Sequence, residues 1–259
     1  MTFSFDTSLV QKYHSNTQIA RVLTEDWLGR NMYCPICGVP VLKHFEANRP
    51  VADFYCNECH AEYELKSKER TTIGIGDKIV DGEYNTMIGR ITALNNPNFF
   101  FLTYANNVVR NLLLIPNYFF TPNIIEKRKP LSDKARRAGW TGCNINLTTI
   151  PECGKIYVVK DSVELDHEIV HNQYLQAAEL RTTSLTSRGW LMDVLLCVEK
   201  LDDNFTLEDM YHFVDVLQQK HLDNNNVEAK IRQQLQVLRD KGILKFTNRG
   251  HYSKIKHSY

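Results

Sequence analysis

RPVADFYCNECHAEYELKSK, residues 49–68, holds a Cys-x-x-Cys pair between two short runs in which apolar and polar residues alternate. Alternation with a period of two is the pattern of a half-buried β-strand, so the two runs predict two strands joined through the cysteine turn. On the second strand Glu64 and Lys66 are two residues apart and project from one face. If the strands pair through the turn, Asp53 on the first comes to lie beside Glu64. Two carboxylates and an amine then share one small volume.

The cysteine turn has an upstream counterpart. Cys34 and Cys37, then eighteen residues, then Cys56 and Cys59 follow the spacing of a tetrahedral zinc ribbon over residues 34–59. Each pair lets two thiolates converge from one tight turn, and CPICG supplies the Pro and Gly that such a turn favours. A closed shell of four thiolates leaves no place for water, so the expected Zn2+ is structural. His44 and His60 lie nearby as alternative ligands, although the thiolates already complete the shell. Cys143, Cys153 and Cys197 show no pairing pattern and read as small buried hydrophobes.

Two carboxylates beside a lysine suit phosphodiester hydrolysis. Asp53 and Glu64, with the backbone carbonyl of Leu65 between the two side chains, can hold Mg2+ against a phosphate. Lys66 can orient or activate the attacking water and offset charge building on the phosphate. Pro-x-x-Asp, ten residues, Glu-x-Lys is similar to the PD-(D/E)xK nuclease motif, with Pro50 displaced from its usual place before the aspartate. An ion pair on a surface hairpin would use the same residues, so the neighbouring elements carry weight. SNTQIARVLTEDWLGRN predicts a helix capped at Ser15 or Asn16, with Ile19, Val22, Leu23 and Trp27 on one face. DGEYNTMIGRITALNNPN predicts a second helix stopped before Pro97, and FFFLTY and NLLLIP predict buried strands. Glu25 on the first helix is either a further metal ligand or a solvated position.

At 259 residues the chain accommodates two domains, and the pattern changes near residue 183. We therefore expect a domain at 1–182 and another at 183–259. SRGWLMDVLLCVEKL, FTLEDMYHFVDVLQQKH and VEAKIRQQLQVLRDKGI predict three helices, the second opened by a capping box from Thr206 to Asp209. ILKFTNRGHYSKI predicts a hairpin turning at Asn248, Arg249 and Gly250. Three helices and a hairpin form the winged-helix plan, whose third helix enters the major groove while the wing meets backbone. Lys230, Arg232, Gln233, Gln234 and Arg239 are the polar positions of that helix, and Gln and Arg can read adenine and guanine. A winged helix used for protein contacts would share this plan.

Net charge of +1 excludes nothing, but Lys127–Arg137 carries six basic residues against one acid. Local basic patches of this kind mark nucleic-acid contact. No apolar run approaches the ~18 residues of a membrane span, and MTFSFDTSLVQKYHS lacks the build of a signal peptide. The expected location is the cytoplasm.

Beyond the motifs, SNTQIARVLTEDW, HFEANRPVADFYC, ELKSK, NNPNFFFLTY, ARRAGWTGCNI, SRGW, FTLEDMY and KIRQQLQVLRDKGI together resemble the DpnI-like methyl-directed type II (type IIM) restriction endonucleases. These belong to the PD-(D/E)xK nuclease superfamily. The resemblance implies an α/β (α+β) nuclease domain with an embedded four-cysteine zinc site, followed by a mainly α winged-helix domain. It further implies blunt cleavage of double-stranded G-A-T-C when the adenine carries an N6-methyl group. By resemblance Asp53 and Glu64 match the Mg2+ ligands, Lys66 the catalytic lysine, and Cys34, Cys37, Cys56 and Cys59 the zinc ligands. The displaced proline is shared with this group. KERTTIGIGDKIVDG is longer than the resemblance leads one to expect, and the tail SKIKHSY extends; both are expected to lie outside the metal constellation.

An enzyme that requires methylation must gain affinity from the methyl group, worth only about 0.8 kcal/mol of apolar burial. Two symmetric methyls, each met in more than one step, multiply to a useful ratio. Trp140 is the candidate apolar surface in the first domain, with Arg136 and Arg137 on phosphates or guanine. The winged helix is a second reader, with Arg249 on the wing. The expected state is a monomer, with a transient dimer on DNA or two successive visits completing the double-strand cut. Two rivals use the same residues: a nuclease of this fold indifferent to methylation, and a zinc-ribbon and winged-helix regulator without catalysis. A methyltransferase lacks support, because no glycine-rich strand-to-helix turn is present for its cofactor.

Overall fold

The computed structural model of the chain describes residues 1–46, 52–182 and 184–255. Pro50, the start of the strand expected at 49–56, and the last four residues of the tail therefore lie outside the described residues. Two compact units divide the chain, Met1–Thr148 with Glu152–Ala177, and Ala178–Tyr259 with Thr149–Pro151.

The first unit opens with helix α1 (Asn16–Asn31), which follows Ser15 and buries Leu23, Thr24, Trp27 and Leu28. Strands β1 (Lys43–His44), β2 (Phe54–Tyr55) and β3 (Glu62–Glu69) follow, joined antiparallel in that order. Strand β4 (Lys78–Glu83) and helix α2 (Tyr84–Thr92) then carry the chain over to β5 (Asn98–Ala105), which pairs parallel with β3. A parallel neighbour requires such a crossover, whereas β5 returns directly as β6 (Val108–Ile115). After β7 (Ile125–Lys127) and β8 (Gly142–Asn146), β9 (Ile156–Lys160) and β10 (Val163–Glu164) complete a seven-stranded sheet ordered β1-β2-β3-β5-β6-β9-β10. Helix α3 (His167–Glu179) follows it.

All eight residues of β5 are buried, as a central strand covered on both faces requires. Phe99, Phe100, Phe101 and Leu102 form the middle of this core, and fully burying each contributes about 1.5–3 kcal/mol. The parallel register sets Glu64 opposite Phe99 and Lys66 opposite Phe101. The polar strand is thereby clamped to the most apolar one.

A second, separately hydrogen-bonded sheet is ordered β4-β8-β7. Here the structure corrects the helix expected from Asp81: residues 81–83 belong to β4, and α2 starts only at Tyr84. Glu83 is the true N-cap, accepting from the N–H groups of Asn85 and Thr86. The stretch after Lys66 is thus part loop and part strand, and Ile79 and Asp81 both face inward along it. Cys143 and Cys197 are buried as expected, while Cys153 is half-buried.

The second unit comprises α4 (Leu185–Glu199), β11 (Asn204–Thr206), α5 (Leu207–Tyr211), α6 (Val214–Lys220), α7 (Val227–Asp240), β12 (Leu244–Asn248) and β13 (His251–Lys254). The expected second helix is two short ones, α5 and α6, separated at His212 and Phe213. Its capping box from Thr206 to Asp209 is formed. The wing carries a third strand, β11, which pairs with β13. Gly250 turns the β12–β13 hairpin at φ +72°, a left-handed conformation that glycine adopts without strain.

Candidate active site

The turn between β2 and β3 builds the site's frame. Cys56 N–H donates to Ala61 O and His60 N–H to Cys56 O, with His60 at φ 58°. The first knuckle closes likewise, Gly38 N–H donating to Cys34 O. The four Sγ atoms of Cys34, Cys37, Cys56 and Cys59 all lie within 4.8 Å of one another. Cys34 Sγ stands 3.6 Å from Cys59 Sγ, and Cys37 Sγ 3.5 Å from Cys56 Sγ. Four sulfurs bonded tetrahedrally at about 2.3 Å to zinc would be spaced about 3.8 Å apart, whereas a disulfide needs about 2.05 Å. The cluster fits a zinc ion and no disulfide. Tyr63, directly before Glu64, places its hydroxyl 3.1 Å from Cys34 Sγ. The sulfur cluster is thereby tied to β3.

Continuing the β2–β3 register past Phe54 and Tyr63 sets Asp53 opposite Glu64. Asp53 N–H donates to Tyr63 O at 2.9 Å, and Asp53 Oδ2 accepts from Leu65 N–H at 2.7 Å. The aspartate's rotation is therefore fixed by the strand that carries the glutamate. Lys66 Nζ lies 2.7 Å from Glu64 Oε1, and Arg90 on α2 reaches Glu64 Oε2 at 3.5 Å. Asp53, Glu64, Leu65 and Lys66 share a cleft of about 690 Å³ with residues of α1, including Glu25. Glu25 pairs with Arg21 at 2.7 Å and with His44 at 3.3 Å.

Burial raises the Glu64 carboxyl above its ordinary value, opposed by Lys66 and reinforced by the charge of Asp81. Burial alone would lower the Lys66 ammonium, but Glu64 and Asp81 override it and hold the group above its ordinary value. Lys66 stays charged. No sequence pattern singles out Asp81, which sits inside a stretch expected to be helical and to lie away from the site. Its Oδ1 is 2.7 Å from Lys66 Nζ.

Arg136, Arg137 and Trp140 lie in the loop between β7 and β8. Both arginines are exposed and Trp140 is half-buried. The indole rests on Gly142, where a Cβ would come within 2.9 Å of Trp140 Cη2. Arg137 stacks its guanidinium 4.8 Å from the ring centroid. Any larger residue at 142 would push the indole off this seat.

On α7, Arg232, Gln233 and Arg239 are exposed and Lys230 is half-buried. Gln234 is 5 % exposed and packs inside the unit with Ile231, Leu235 and Leu238. It is withdrawn from the polar face expected to meet DNA, because helical spacing sets it on the apolar stripe. Arg232 donates to the Tyr211 hydroxyl, and Arg239 lies 4.7 Å over the Phe246 ring. Arg249 is exposed at the tip of the wing.

The mixed α/β unit around a four-cysteine cluster and the helix-turn-helix unit after it are those of a DNA-acting enzyme of the restriction endonuclease class, as the match to family models shows. The comparison with family models is specific: residues 1–183 match the Dam-replacing family, DpnI, and residues 186–254 match the Dam-replacing HTH domain. The chain belongs to this family. Membership carries methylation-dependent DNA cleavage and a DNA partner. No helix among the described residues is long and apolar enough to cross a membrane.

Proposed function

We propose that this chain is a type II site-specific deoxyribonuclease that cleaves double-stranded DNA at G-A-T-C carrying N6-methyladenine. In this reading Asp53, Glu64 and the Leu65 carbonyl hold a catalytic Mg2+, and Lys66 assists the reaction. The observation that carries it is Asp53 set across the strand pair from Glu64, with Lys66 beside the glutamate in a shared cleft. Two carboxylates and a carbonyl are hard oxygen donors, the set that suits Mg2+. When bound, the cation supplies Lewis acidity that draws charge from the scissile phosphate.

The remaining roles belong to the chain's own groups. The Leu65 N–H holds Asp53 Oδ2 and orients the carboxylate toward the site. Lys66, held as an ammonium, donates toward the oxygens on which negative charge builds, and orients the attacking water. Cys34, Cys37, Cys56 and Cys59 hold a structural Zn2+ that fixes the β2–β3 register. A one-residue slip there would turn Glu64 and Lys66 to the other face.

Both domains, 1–182 and 183–259, read the methyl group in this scheme. Trp140, seated on Gly142 and flanked by Arg137, supplies apolar surface in the first. Arg136 adds charge beside it. Lys230, Arg232, Gln233 and Arg239 on α7, with Arg249 on the wing, serve the second. The protein acts in the cytoplasm as a monomer that completes the double-strand cut through a transient dimer or two successive visits.

The test uses Mg2+ and two preparations of one plasmid, fully adenine-methylated at G-A-T-C and unmethylated. Discrete fragments from the methylated preparation alone are expected. Cutting of both would discard methyl reading, and cutting of neither by zinc-loaded protein would favour a regulator without catalysis.

A further inference from the structure

Asp81 lies outside the sequence pattern of the site, on a strand of the other sheet, yet it meets the site's lysine. The β4–β8 pairing shifts register between Asp81 and Glu83, and such an irregularity re-aims the side chain beside it. Lys66 Nζ consequently stands midway between two carboxylates, 2.7 Å from Asp81 Oδ1 and 2.7 Å from Glu64 Oε1. Asp81 Oδ1 also accepts from Gly82 N–H at 2.6 Å. The Asp81 side chain is 3 % exposed. Its Oδ2 is buried and has no hydrogen-bond partner among the described residues.

A carboxylate buried this deeply costs stability, so its place here calls for a reason. Lys66 supplies that reason. Were Glu64 its sole acidic neighbour, a cation claiming Glu64 would have to strip it from the ammonium. With Asp81 present, the ammonium keeps an anionic partner when Glu64 turns to the cation.

We propose that Asp81 is a positioning residue that holds the Lys66 ammonium and thereby leaves the Glu64 carboxylate to a divalent cation. This rests on the assignment of Asp53, Glu64 and Lys66 proposed above. Asp81 then sets cation affinity through the lysine, and Glu64, which Arg90 also reaches, passes from the lysine to the cation during loading.

The experiment is Mn2+ binding to the zinc-loaded full chain, followed by the electron paramagnetic resonance signal of free Mn2+, with cleavage of a methylated duplex alongside. Asp81→Asn is expected to weaken Mn2+ binding about 10–100-fold and to slow cleavage at fixed metal by a similar factor. Its affinity for the duplex without added divalent cation is expected to stay at the wild-type value. In a Lys66→Met background the same substitution is expected to change Mn2+ binding little, because the ammonium it manages is gone. A wild-type isotherm for Asp81→Asn overturns the proposal, and so does an equal loss in both backgrounds. Should Asp81→Asn alone fail to fold, Lys66→Met and the double variant are expected to bind Mn2+ alike, and a wide gap between them overturns the proposal. Asp53→Ala separates the two layers. If it binds Mn2+ and cleaves as the wild type does, the site assignment falls and takes Asp81 with it; if it loses both while Asp81→Asn loses neither, the Asp81 role alone falls.

Discussion

Replacing Tyr63 by Phe should weaken zinc binding about tenfold while leaving the core around it intact. The ring is fully buried and stacks on Phe100 with centroids 4.8 Å apart, and Phe keeps that ring, so no cavity opens. What disappears is the hydroxyl 3.1 Å from Cys34 Sγ. Burial, then the neighbouring sulfurs of Cys34 and Cys59, push the phenol above its ordinary value, so it remains a protonated donor. Burial likewise raises Cys34, which is a thiol without metal and a thiolate on zinc. A hydrogen bond to a charged acceptor contributes about 1.5–3 kcal/mol and one to a neutral acceptor about 0.5–1.5 kcal/mol. The difference of about 1–1.5 kcal/mol belongs to the zinc-bound state, and about 1.4 kcal/mol is a factor of ten in affinity. Competition against a chromophoric chelator, on full-length wild type and Tyr63→Phe, measures it directly. Equal zinc affinities for the two proteins would refute the reasoning, since the hydroxyl would then favour thiol and thiolate alike.

Zinc removal itself should unfold the first unit, and circular dichroism of a chelator-treated sample that kept full secondary structure would count against it. Gln233→Ala should weaken DNA binding by up to about 1–3 kcal/mol if it reads a base edge, whereas Gln234→Leu, changing a buried position, should leave affinity unaltered in a mobility-shift titration. His221 stacks on Trp190 with centroids 3.8 Å apart and bonds Asp193 at 2.9 Å. Burial lowers its pKa below the ordinary 6.5 despite the opposing carboxylate. The unfolded chain therefore binds the proton first, and this contribution to stability is full above 6.5 and is lost as the pH falls from there toward the folded pKa. Thermal melts at pH 7.5 and 5.5 should differ more for the wild type than for His221→Gln, and equal pH dependence would contradict this.

The functional candidates are legible in the sequence to different depths. Asp53, Glu64 and Lys66 were readable because strand periodicity and the cysteine spacing are local rules, and pairing through a six-residue turn follows from them. Gln234 carries its signal too: at three residues after Ile231 and four before Leu238 it completes the apolar stripe of α7, and its polarity masks that phase. Asp81 is harder. KIVDG alternates like a strand, but Asp-Gly also reads as the start of a helix, and the contact that matters joins residues on two different sheets.

By itself the sequence determined the four-cysteine cluster, the acidic and lysine side chains on one strand face, and a winged-helix plan after residue 183. Each is set by spacings of a few residues that backbone geometry converts directly into shared faces. Tertiary structure alone decided which charges surround Lys66. The irregular pairing of β4 with β8 turns Asp81 inward, and α2 brings Arg90 to Glu64, contacts that depend on how a crossover packs rather than on any local period.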